Sequence, residues 1–364
     1  MVATVSSMIG QFNMNNIKIL LNLGYLVDVA VNFKDTNVWP LERIQMFKEQ
    51  LSNMGIECIQ LDFSRNPLKL FAHRKTYKQV LAMLKNRHYF FIHTHTPIAS
   101  AIVRIAARKT KTKVIYTAHG FHFYKGAPLI NWLLYYPLEK KLSKYTDVLI
   151  TINKEDYEIA CKKFKAKKNV YVPGVGVDLK RFSPNEDRRL KIREELGLKE
   201  DAVVLLSVGE LNKNKNHISV IKAIEGMDFV YVIVGKGPLD KELTAFAKEK
   251  KVDLRLMGYR NDVPSFYNAA DIYILPSIRE GLNVSLMEAM ASCLPVACGK
   301  IRGNVDLIDD KEVLFNPTSI VEIKNAIVMS IQNKKSLGLK NLSKIQHFDL
   351  STVENLSSDV YKTI

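Results

Sequence analysis

The sequence predicts an α/β chain of two doubly wound parallel sheets. Three observations carry that expectation: the length, the spacing of short β-branched runs, and a change in charge and glycine content near mid-chain. At roughly 150 residues per domain, the 364 residues make about two domains. With 47% hydrophobic and 25% charged residues, disordered, collagen-like and disulfide-stapled classes are excluded. A first strand starts at Met1, and continuous apolar runs follow at 114–118, 148–152, 170–172, 203–207, 229–234, 254–257, 272–275 and 296–298. Such runs, alternating with longer amphipathic stretches, suit strands buried on both faces of a parallel sheet. The stretch YVPGVGVDLKRF (171–182) has two glycines and a proline and divides a domain 1–172 from a domain 173–348. The tail 349–364 reads as one more helix, started by Asp349 or Ser351 and able to pack back on the first domain.

Charge separates the same two parts. The chain carries +16 overall, of which residues 1–172 hold +15 (26 Lys and Arg against 11 Asp and Glu) and residues 173–364 only +1. Basic clusters lie at 74–78, 108–113, 140–144 and 162–168. They suit solvated surface, an anionic membrane surface or nucleic acid. No zinc-finger, RNP or helix-turn-helix signature accompanies them, so nucleic acid is not expected. The segment PLINWLLYYPLEKKLSK (128–144) combines Trp, Tyr and leucines with a basic end. Two readings stand for it: a helix at the bilayer interface with Trp132 inserted, or a core helix containing Pro137. No apolar run approaches the roughly 18 residues of a membrane span, and no signal-peptide pattern opens the chain. The expected location is therefore the cytoplasm, peripheral on the inner face of the plasma membrane. The four cysteines are scattered, with no C-x-x-C pair, which argues against a disulfide framework or a zinc site.

Of 17 glycines, 11 lie between Gly174 and Gly303, several where a strand run gives way to a loop. Three such loops stand out: SVGELNKNKNH (207–217), VIVGKGP (232–238) and PSIREGLNVSLME (276–288). In open parallel sheets, ligands bind beyond the carboxyl ends of strands, where helix N-termini offer free N–H groups to anions. None of the loops completes the six-residue dinucleotide fingerprint, which counts against an NAD or FAD enzyme. Glu280 and Glu288 in the third loop lie up to ~12 Å apart if the intervening residues are helical. That exceeds the roughly 5–9.5 Å of a glycosidase pair. It suits one elongated ligand with a hydroxyl-bearing group at each end and a diphosphate on the amides of Gly281, Leu282 and Asn283. Spacing alone equally admits Glu280 as a first-turn residue complementing the helix dipole and Glu288 as a surface residue.

The motif Glu280-x7-Glu288, in EGLNVSLMEAMASCLPV, resembles the donor-site signature of retaining nucleotide-sugar glycosyltransferases of family 4. VPGVGVDLKRF, SVGELNKNKNH, VIVGKGP and LMGYRNDVPSFYNAADIYILPS occur in family order around it. THTPIAS (94–100), YTAHGFHFYKGAP (116–128) and LITINKEDYEIA (149–160) are similar to the capsular and exopolysaccharide branch. The resemblance implies a GT-B fold, two Rossmann-like domains facing across a cleft, with acceptor bound by the first and donor by the second. It implies that Glu288 holds the ribose hydroxyls and that Glu280, Gly281, Leu282 and Asn283 hold the sugar and distal phosphate. Lys215 would neutralise the diphosphate, and Gly258 and Tyr259 would lie beside the base. Gly209, Lys213 and Gly235 complete the donor-side set. Glu210 stands where the family often has arginine, so either Lys213 and Lys215, with His217 as a further candidate, supply the positive charge or this loop holds diphosphate weakly. His119 matches the family histidine near the donor sugar. Gly10, in a loop 6–13, matches the acceptor side, with His95 and His122 as further candidates. The catalytic set is thus His119, Glu280 and Lys215. The first strand is shorter than usual for the family, so a few residues are expected to be missing before Met1.

There is no D-x-D in the chain, so no cofactor or divalent metal is expected. Leaving-group charge falls to Lys215 and the amides after Glu280. The resemblance implies retention, with the leaving phosphate accepting the acceptor proton. The expected donor is a nucleotide-diphospho-sugar, most often UDP-linked in this family. The expected acceptor is a polyprenyl-diphosphate-linked saccharide in bacterial surface polysaccharide assembly. A sugar-nucleotide 2-epimerase or hydrolase of the same architecture, and a non-catalytic nucleotide- or nucleic-acid-binding protein, are the alternatives.

Overall fold

A computed structural model describes all 364 residues, which divide into two compact units, 1–175 with 353–364 and 176–352. The first unit holds strands β1 (Val2–Val5), β2 (Asp28–Asn32), β3 (Glu57–Gln60), β4 (Phe91–His95), β5 (Lys113–Ala118), β6 (Val148–Thr151) and β7 (Lys168–Tyr171). They form one parallel sheet in the order β3-β2-β1-β4-β5-β6-β7. The second unit holds β8 (Val203–Val208), β9 (Phe229–Val234), β10 (Asp253–Leu256), β11 (Ile272–Leu275), β12 (Val296–Gly299) and β13 (Leu314–Phe315). Its parallel sheet runs β10-β9-β8-β11-β12-β13. Both sheets are doubly wound, and the order reverses between β1 and β4 in one and between β8 and β11 in the other. Those switch points open a crevice beyond the strand ends.

The strand period of two sorts side chains onto both faces of the first sheet. Val29 and Val31 pack with Ile9, Ile17, Phe47 and Leu51, whereas Ala30 between them packs with Val80, Val103 and Ala106. The C-terminal helix Leu350–Lys362 joins the first cluster through Val353, Val360 and Tyr361. Tyr361 is buried and its OH meets Nδ1 of His93 at 2.9 Å. In the second unit Leu205, Tyr231, Ile233, Ile272 and Ile274 form a core with Val220, Leu243, Ile323 and Ile327 of the covering helices.

Two local expectations are corrected. Residues 6–13 are not a loop: Ser6–Phe12 is a helix starting directly after β1, and Gly10 lies within it. A Cβ at Gly10 would stand 2.3 Å from Cη2 of Trp39, so this glycine makes room for an aromatic ring. The segment Leu129–Leu142 is a helix with Pro137 inside it, but Trp132 turns inward. Its ring packs on Phe123 and its Nε1 donates to the Tyr124 carbonyl, leaving leucines, Ile130 and the lysines of the last turn facing out.

Candidate active site

In the second unit the switch point between β8 and β11 gathers the glycine-rich loops. β8 runs into Gly209, whose N–H donates to Val234 O (3.0 Å), and Gly235 donates to Gly258 O (2.8 Å). These loops touch backbone to backbone. A Cβ at Gly235 would lie 1.8 Å from the Gly209 carbonyl oxygen, and one at Gly303 would lie 1.9 Å from that of Gly281. Real atoms do not approach that closely, so glycine at these two positions is a packing requirement.

Lys215 and Glu280 come together here. The ammonium lies 2.7 Å from Oε1 of Glu280, with both side chains largely buried. The Lys215 N–H is tied to Asn212 Oδ1 (3.0 Å), and Asn214 Nδ2 donates to Arg279 O (2.9 Å), stitching the first loop to the third. Arg302, which the sequence reading did not single out, is buried and donates through Nε to the Glu280 carbonyl (3.2 Å). Its only sequence signal was the following Gly303.

Asn283 caps the helix Val284–Ala291 by accepting from the Leu286 N–H, as a short polar N-cap does. Ser285 Oγ bridges Asn283 Oδ1 (2.6 Å) and the Val208 carbonyl (3.1 Å), and meets Tyr273 OH at 2.6 Å. This ties the helix start to the end of β8. One turn on, Oε2 of Glu288 meets Tyr267 OH at 2.8 Å. Burial pushes the Glu288 carboxyl up to about 7 against the counter-pull of Tyr267 and Arg181. Tyr267 OH also reaches Ser285 O at 3.0 Å. A phenol has one proton, which Tyr267 shares between the Glu288 carboxyl and the Ser285 carbonyl.

The other donor-side candidates are placed less tightly. Gly281 lies in the turn under Gly303, and Leu282 is buried. Tyr259, next to Gly258, is 60% exposed. Lys213 is exposed on the same loop as Lys215, and Glu210 turns outward to accept from Asn212 Nδ2. His217 is corrected as a source of positive charge. It is buried against Tyr231 OH (2.9 Å), and burial, reinforced by Lys215, lowers it to about 3, so it is neutral.

In the first unit the carboxyl ends of β4 and β5 carry a histidine cluster. Nδ1 of His95 meets Nε2 of His119 at 3.1 Å, and His93 bridges Tyr361 OH and Thr117 Oγ1 (2.8 Å). Burial holds all three below the usual histidine value, His119 at about 4. Nε2 of His95 is buried without a partner. With the His95 proton on Nδ1, only a lone pair is left unmatched there, and His119 Nε2 becomes the acceptor. His119 then carries its proton on Nδ1, as a neutral N–H donor. His95 has no exposed surface, so it acts on anything outside only through His119. His122 lies apart from this cluster, stacked on Tyr135 with ring centroids 4.6 Å apart.

Residues 188–341 match the Glycosyl transferases group 1 family and residues 45–181 match Glycosyltransferase Family 4. The chain is 31% identical over 283 residues to the UDP-Gal:alpha-D-GlcNAc-diphosphoundecaprenol alpha-1,3-galactosyltransferase of Escherichia coli, covering 73% of each chain. This chain belongs to the GT-B glycosyltransferases of group 1 and family 4. This glycosyltransferase is also 39% identical over 251 residues to EpsD of Bacillus subtilis (strain 168), a glycosyltransferase by name, and the match spans 65% of either chain. Its fold superposes on Anabaena Alr3699/HepE in complex with UDP, with a TM-score of 0.78, 18% identity and full coverage of both chains.

Proposed function

We propose that this glycosyltransferase moves a sugar, with retention, from a UDP-linked donor to a polyprenyl-diphosphate-linked saccharide during assembly of a bacterial surface polysaccharide, at the inner membrane face. The observation that carries the reading is the convergence of the Lys215–Glu280 pair and the Glu288 carboxyl on the loops of one switch point. The Escherichia coli relative, named for a UDP-galactose donor and a diphosphoundecaprenol acceptor, supports the substrate classes.

Glu288 accepts the ribose hydroxyls, and Lys215 with the amides following Glu280 faces the diphosphate. A diphosphate competes with Glu280 for the Lys215 ammonium. Binding therefore exchanges an internal ion pair for an intermolecular one and frees the Glu280 carboxylate for sugar hydroxyls. As the glycosidic bond breaks, charge grows on the diphosphate, where Lys215 stabilises it more than in the ground state. No divalent metal enters this scheme, because the cationic role falls to Lys215.

The test is a thermal-shift panel of UDP-, GDP-, dTDP- and ADP-sugars on the full chain, followed by transfer to a detergent-solubilised polyprenyl-diphosphate-linked N-acetylglucosamine. The UDP-sugar is expected to raise the unfolding temperature, since a ligand at 100 times its Kd adds about 2.7 kcal/mol. The product is expected to keep the donor's anomeric configuration by NMR. Donor turnover that proceeds equally well without acceptor would replace this reading with a hydrolase or epimerase.

A further inference from the structure

The first unit holds a cavity of about 410 Å³ beyond the ends of β1 and β4, where its sheet order reverses. One wall is the segment carrying Arg65 and Pro67, and another is formed by His122 and Tyr135. Each wall continues into an exposed apolar stretch. Beyond Pro67 lie Leu68, Leu70 and Phe71, of which Phe71 is 91% exposed. Around Tyr135, the helix Leu129–Leu142 shows Leu129, Ile130, Leu133, Leu134 and Leu138 to the outside, Leu129 at 80% and Leu133 at 70%.

A helix that is apolar on its outer face as well as its inner one has no stable place in water unless something covers it. The inner face of this one is already committed. Trp132 and Tyr136 pack on Phe123, and Glu139 makes a buried ion pair with Arg104 at 2.9 Å. Charge narrows the choice of what covers the outer face. Residues 63–78 contain Arg65, Lys69, Arg74, Lys75 and Lys78 and no carboxylate, and the only carboxylate in 128–144 is the buried Glu139. Aliphatic side chains between lysines and arginines, without exposed acids, match the interface of an anionic bilayer.

We propose that these two stretches form a bipartite bilayer-docking surface around the mouth of the cavity, so that a lipid-attached diphosphate reaches Arg65 without leaving the membrane. The inference rests on the lipid-linked acceptor of the proposed function and adds where and how that acceptor enters.

The experiment is sedimentation of the full chain with vesicles of phosphatidylglycerol and phosphatidylethanolamine, against phosphatidylcholine alone. The Leu68→Glu/Phe71→Glu and Leu133→Glu/Leu134→Glu variants are each expected to lose at least tenfold in partition to anionic vesicles. The unfolding temperature with UDP should be unchanged, which shows that the variants are folded. Arg65→Ala is expected to weaken vesicle binding much less than either double variant but to raise the KM for a vesicle-embedded polyprenyl-diphosphate acceptor. Unchanged partition in either double variant, or equal binding to neutral vesicles, overturns the docking surface. Unchanged KM in Arg65→Ala overturns the role of the cavity. Transfer in detergent separates the two readings: if it persists while vesicle binding is absent, docking fails and the glycosyltransferase stands. If transfer is absent in detergent too, the function itself fails.

Discussion

The two units share a doubly wound parallel sheet with one reversal of strand order, yet their switch points are built differently. In the second unit, loops meet backbone to backbone at Gly209, Gly235, Gly281 and Gly303, and the polar groups are an ion pair and a carboxyl that burial has made less acidic. In the first, three neutral histidines lie at the carboxyl ends of β4 and β5, and a separate cavity opens beyond β1 and β4 with His122, Tyr135 and Arg65 in its walls. Chemistry therefore resides in the loops, while the sheets only bring loop ends together. On the proposed function, the second unit's switch point grips the donor and the first unit's admits the acceptor.

The largest expected effect tests the tightness of the gripping side. Gly235→Ala places a methyl 1.8 Å from the Gly209 oxygen. It should cost about 2–4 kcal/mol of stability and abolish the UDP-induced thermal shift. Gly24 in the first unit also has a left-handed φ (+83°) but nothing within 4 Å of its Cβ position. Gly24→Ala should cost only about 1 kcal/mol. Denaturant unfolding of the two variants side by side checks this. Similar losses would mean that the close approach of the loops is not what matters.

A smaller effect follows from the carboxyl. Glu288 is pushed from 4.5 up to about 7 by burial, so at pH 6 it is mostly protonated before a nucleotide binds. Hydroxyl donors prefer the carboxylate, so UDP affinity should rise by about tenfold from pH 6 to pH 8. Glu288→Gln should flatten the slope, as titration calorimetry at the two pH values would reveal. His119 is neutral throughout that range, being lowered from 6.5 to about 4, so the first unit adds no slope. The two groups also pull stability in opposite directions. A raised carboxyl stabilises the fold fully below about 4.5, and that contribution is lost as pH rises through about 7. A lowered histidine stabilises relative to acid, and that contribution is lost as pH falls from 6.5 towards 4.

The same contrast explains what the sequence made legible. The α/β class and five of the six strands of the second unit were readable because runs such as IYIL and FVYVIV are apolar throughout, as central strands are, whereas the two-residue β13 is too short to form a run. In the first unit, β3 (ECIQ) is an edge strand with Glu57 exposed, and β4 (FIHTH) carries two histidines, so neither formed an apolar run. The pairing of Lys215 with Glu280 joins positions 65 residues apart and needed the sheet order to appear. The His95–His119 contact likewise depends on β4 lying beside β5. Gly10 was misplaced because a helix glycine and a loop glycine look alike until the facing residue, Trp39, is known.

The most direct test of the division of labour is hydrogen–deuterium exchange of the full chain with and without UDP. Protection is expected in peptides spanning 207–217, 234–237, 257–259 and 280–288, with 91–98 and 113–122 unchanged. Protection confined to the histidine-bearing strand ends, with the loops of the second unit unaffected, would contradict the assignment of the nucleotide to that unit.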